Sequence, residues 1–176
     1  MRRRQGAWVA GVLILAAAVW PEVGRYRAER SLRRASTSLM RVLTTPLSPE
    51  DATKGLEVSA EAALAAMSRL PDDPRPCIVA GSARLVAGRL EEAVASYREG
   101  LRRGERAEID LNIGRTHAAA GDAEAARVGY VRAGWISPPL LAAISGEARA
   151  QVDAEIARLE GLLESRTLSA PPPKPH

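Results

Sequence analysis

The chain has no phenylalanine, and only three tryptophans and three tyrosines among its 176 residues. Strand formers are therefore scarce while alanine, the best helix former, occurs 33 times, which argues against an all-β fold. A single cysteine, Cys77, excludes an internal disulfide framework and a cysteine-built structural zinc site. The two histidines, His117 and His176, leave little for metal or acid–base chemistry. Lysine is nearly absent, with two copies against 23 arginines. Together with the high alanine content this suggests a GC-rich bacterial genome. No glycine-rich phosphate loop is present. Apolar residues still make up 46% of the chain, enough for a packed core.

Positive charge is confined to one end. Residues 1–41 hold nine arginines against Glu22 and Glu29, a balance of +7. The remaining residues carry 16 basic and 19 acidic groups, a balance of −3, and the two give the overall +4. The folded body is thus mildly acidic and poor in stacking aromatics, which disfavours nucleic acid as a partner.

Residues 6–20 carry no charge and follow Arg2-Arg3-Arg4. As a helix they would cover roughly 22 Å, against about 30 Å of hydrocarbon in a bilayer. Trp8 and Trp20 sit at the ends, where indoles prefer the membrane interface, and Arg4 and Arg25 have the reach to snorkel outward. Three readings fit this segment: an uncleaved membrane anchor, a cleaved signal peptide ending near Ala16-Ala17-Ala18, and a buried helix. The bulky Val19-Trp20-Pro21 is a poor mature start and favours the anchor. The expected location is a bacterial inner membrane, single-pass, with the body in the periplasm. Residues 23–42 read as a helix with Val23, Tyr26, Leu32, Ala35, Leu39 and Val42 on one face. It is taken as a basic juxtamembrane linker whose arginines are solvated or lie near anionic headgroups.

From residue 74 the chain repeats at an offset of 33. Gly81 corresponds to Gly114, Gly88 to Gly121, Ala93 to Ala126, and Tyr97 to Tyr130. One further step back takes Gly88 to Gly55, Ala93 to Ala60 and Tyr97 to Leu64. The stretch 107–138, with Gly114, Gly121, Ala126, Tyr130, Ala133 and Pro138, resembles a tetratricopeptide repeat. The preceding unit departs from that pattern at Gly100 and Glu105. The resemblance implies an all-α fold: a short tetratricopeptide-type stack of helix hairpins over 48–165. A capping helix from about Gly146 to Leu163 would close it, buried through Val152, Ile156, Leu159 and Leu163. A single apolar helix (1–22) and the linker (23–47) precede it, and a disordered proline-rich tail (166–176) follows.

The same resemblance places a partner-binding groove on the first helices of successive units. Its lining would be Arg75, Ile78, Ser82 and Leu85, then Glu108, Leu111, Arg115 and Ala118. The asparagine-and-lysine pattern that clamps a carboxylate in some relatives is missing, because Asn112 is matched by Val79. No catalytic constellation is visible. Cys77 and His117 read as core fillers, although the position of Cys77 at a helix start is one that lowers a thiol pKa. The expectation is a scaffold or adaptor, not an enzyme, without cofactor. Its partner would be another envelope or membrane protein, with the bilayer contacted through residues 6–20. The alternative is an accessory subunit of a membrane complex, packed through its apolar helix.

Overall fold

Proline, glycine and short polar runs divide the chain into helices. The computed structural model describes the backbone of residues 2–175 and the side chains of residues 19–175. The described residues are all-helical, without a strand. The helices are α1 (Arg2–Thr44), α2 (Pro49–Met67), α3 (Arg75–Val86), α4 (Leu90–Arg103), α5 (Ala107–Ala119), α6 (Ala123–Ile136) and α7 (Gly146–Glu164). A short 3-10 helix, Pro138–Ala143, joins the last two.

Local chemistry explains the boundaries. Ser48 caps α2 by accepting from the Asp51 N–H at 3.1 Å, with Pro49 in the first turn and Glu50 and Asp51 at the positive end of the dipole. The Asp122 carboxylate caps α6 by accepting from Ala125 N–H at 3.0 Å. Gly88 and Gly121 make the two tight turns at φ of 74° and 81°, a region that other residues enter at a cost.

Each helix packs against the next in the chain. In addition α1 touches α3 and α3 touches α5, whereas α2, α4 and α6 make no comparable contact with one another. α1, α3 and α5 are therefore the closer-spaced row. The repeated residues take matching places. A Cβ on Gly81 would stand 2.5 Å from the Tyr97 ring, and one on Gly114 would stand 2.6 Å from the Tyr130 ring. Ala93 and Ala126 are both buried beside those rings. A Cβ on Gly100 would lie 2.9 Å from Ile109 Cδ1 and 3.1 Å from Cys77 Cβ, so an alanine there fits only if the end of Ile109 shifts.

Three regions differ from the sequence reading. The segment 23–42 is not a free linker: Ala28, Leu32, Ala35 and Leu39 are buried, at three- and four-residue spacing, against α2 and α3. Tyr26 faces solvent. The α1–α2 seam is built from small residues. Ser31 and Ser38 donate to the Ala62 and Gly55 carbonyls at 3.0 and 2.9 Å, and Ser59 donates to the Ala35 carbonyl at 2.8 Å. Gly55 thus lies inside α2 against Val42, not in a turn, and Leu64 is exposed where Tyr97 is buried. The helix α7 buries Val152 and Leu159 and half-buries Ile156, but Leu163 faces water. Its place is taken by Leu168, which returns to the core after the chain turns at Arg166. Beyond that point Pro172 and Pro175 are buried.

Candidate functional site

The predicted groove residues separate into two groups. Ile78 and Leu85 are half-buried against the cluster of Ala93, Tyr97, Ile109 and Ile113. Ser82 shares a hydrogen bond of 3.1 Å with the Tyr97 hydroxyl. Leu111 is 4% exposed and belongs to the core of α5, α6 and α7. These four serve mainly to hold helices together, because α3 and α5 are close enough to use them. Arg75, Glu108, Arg115 and Ala118 remain exposed.

The residues left open are joined by others that the sequence reading did not choose. Leu32, Arg33 and Ser36 of α1 face Arg75 and Ile78 of α3 across a furrow of about 350 Å³. Arg75 closes one end, donating to Asp73 at 2.8 Å and to Glu29 of α1 at 2.6 Å. Treating 23–47 as a linker hid this wall. The signal available was the spacing of Ala28, Leu32, Ala35 and Leu39, with alanine in an anchoring role.

Further along the row, Arg115 donates weakly to the Asn112 side chain at 3.3 Å and to the Ala143 carbonyl at 3.4 Å. Ala118 borders a cleft of about 400 Å³ between α5, α6 and α7, with Tyr130, Arg127, Glu147 and Gln151 on its walls. Arg127 is paired with Glu124 at 2.5 Å, so the cleft presents no unpaired charge from that residue. Contacts of this kind suit shape-based recognition of a peptide or helix.

The outer face of α1 is strongly basic. Arg30, Arg33, Arg34 and Arg41 border a shallow groove with Tyr26 and Thr37, and Arg30 lies 6.0 Å from the Tyr26 ring centre. None of these four arginines forms an ion pair among the described residues. Arg25 pairs with Glu22 at 3.7 Å, both exposed, and Trp20 is 70% exposed. Trp8 and Arg4 lie outside the described side chains, as does most of the proposed anchor. Among the described residues no helix is long and apolar enough to cross a membrane.

The remaining candidates for chemistry are placed as follows. Cys77 is buried, and burial pushes its thiol up, away from the reactive range. His117 is half-buried on α5. Among the described residues no group of three or more His, Cys, Asp or Glu is placed to hold a metal ion. No family model, curated protein or solved structure matches the chain.

Proposed function

We propose that the chain is a membrane-anchored adaptor of the bacterial envelope. Residues 6–20 hold it at the inner membrane, and the body, on the periplasmic side, holds a partner protein on a short tetratricopeptide-type stack closed by α7. The observation that carries this reading is the matched Gly81–Tyr97 and Gly114–Tyr130 contact at an offset of 33 residues. Units that bury their faces only by stacking expose long surfaces suited to holding another chain. The furrow between α1 and α3, continued by Glu108, Arg115 and Ala118, is the assigned partner surface. The unpaired arginines of α1 suit it to a partner with acidic groups or to anionic headgroups.

The experiment replaces residues 6–20 by an unrelated membrane span and compares affinity purifications from mild detergent. An adaptor keeps its partner with the foreign span. Loss of the partner, with the body still folded, would show that the apolar segment itself packs on the complex. Arg33→Glu and Arg115→Glu, made in the native chain, should each reduce the partner recovered. Unchanged recovery with both would remove the furrow from consideration.

A further inference from the structure

The last residues of the chain cross the face of α5 and α6. Proline carries no N–H, so a run such as Pro171-Pro172-Pro173 offers its surroundings carbonyl acceptors only. Arginine offers donors only. These two meet at Arg132, which is 9% exposed and whose Nη1 donates to the Pro172 carbonyl at 2.7 Å. The same guanidinium donates through Nε to Glu105 Oε1 at 2.9 Å. The other oxygen of Glu105 lies 3.2 Å from Lys174 Nζ. One backbone carbonyl of the tail is thus received by Arg132 and its ammonium by Glu105, which bridges Arg132 and Lys174.

A second observation marks the same place. Asp110 of α5 has no exposed surface, and neither of its carboxylate oxygens has a hydrogen-bond partner among the described residues. The charged groups that act on it are Glu105, Arg132 and Lys174, the same three that hold the tail. A buried carboxyl without a donor is costly when ionised and is out of place in a site serving packing alone.

We propose that Glu105, Asp110 and Arg132 form a peptide-binding site for an extended, proline-rich segment bearing a lysine two residues after the bound carbonyl. The chain's own residues 169–175 occupy it and so close it to the same kind of segment from a partner protein. Proline-rich chain is already extended before binding, so little conformational entropy is lost on docking. The ammonium contact is half exposed, with Lys174 at 53%, which leaves the occupant exchangeable. The site lies apart from the α1–α3 furrow and does not depend on whether residues 6–20 cross a membrane.

The test uses the full chain in mild detergent, wild type and Lys174→Glu, with a fluorescent peptide of residues 169–176. In the variant the amide resonances of Ala170 and residue 174 should sharpen to those of a mobile chain, and the free peptide should bind at least tenfold tighter than to wild type. A peptide carrying Lys174→Glu should bind neither chain. Because Lys174 is exposed, thermal unfolding of the variant confirms that the body is intact. Three results would overturn the proposal: a variant tail as immobile as wild type, a released tail with no peptide binding, or equal binding of native and Lys174→Glu peptides.

Discussion

The ring of Tyr130 covers the bare Cα of Gly114, so that a Cβ there would stand 2.6 Å from Cδ1 and 3.0 Å from the Ala126 carbonyl oxygen. The ring can shift, but the backbone oxygen has nowhere to go. Gly114→Leu should therefore cost several kcal/mol by forcing α5 and α6 apart, of order 3 kcal/mol or more, read by urea denaturation. Gly88→Ala is the control. It meets no neighbour within 4 Å and carries only the strain of φ 74°, about 1 kcal/mol. Equal losses at the two positions would refute the close approach.

Asp110 makes stability depend on pH. Burial, reinforced by the nearby Glu105, pushes its carboxyl up to about 7, against the pull of Arg132 and Lys174. An acid whose pKa rises on folding makes the native state bind more protons than the unfolded chain. Stability is therefore highest in the acid range and falls as pH rises from the ordinary carboxylate range to about 7. Asp110→Asn should remove that slope and raise stability at pH 8 by on the order of 2–4 kcal/mol. Melting curves at pH 5 and pH 8 check it, and a wild-type protein that melts higher at pH 8 than at pH 5 contradicts it. Glu105 works in the opposite sense. Its hydrogen bond from Arg132, helped by Lys174, holds its carboxyl below the usual range, so its contribution is lost only on stronger acidification.

Arg75 joins α3 to α1 through Glu29, but both side chains are close to half exposed. Arg75→Ala should cost less than about 1 kcal/mol, and the cost should shrink further in 1 M salt. A larger loss would mean that the furrow is held together by charge, not by Leu32 and its neighbours.

Cys77 should resist modification. With the thiol buried and its pKa raised, a maleimide should label the native protein at least a hundredfold more slowly than the protein in 6 M guanidinium. Rapid native labelling would mean that the start of α3 opens readily.

Much of the helical plan was legible in the sequence, because capping residues, turn glycines and prolines act locally. Ser48, Asp122, Gly88 and Gly121 hold the positions their chemistry suggests. Packing between distant segments was less legible. The face read through Val23, Leu32, Ala35, Leu39 and Val42 is the one that packs; Tyr26 alone lies off it, and Ala28, whose side chain is too small to announce itself, fills the gap. Of the groove residues that the tetratricopeptide resemblance implied, Arg75, Glu108, Arg115 and Ala118 lie at the surface. That Leu111 would be enclosed depended on α6 and α7 closing over α5, and that Leu32 and Arg33 would face Ile78 depended on α1 returning against α3. Asp110 gave no signal at all, since nothing near it in sequence shows that Arg132 and Lys174 arrive from α6 and the tail.

The serine bonds between α1 and α2 have a mechanical consequence. Ser31, Ser38 and Ser59 each reach a carbonyl across the seam, and all three depend on one register of the two helices. Sliding α1 by a single turn, about 5.4 Å, would break every one of them together. The three bonds therefore act together to fix one register of α1 against α2.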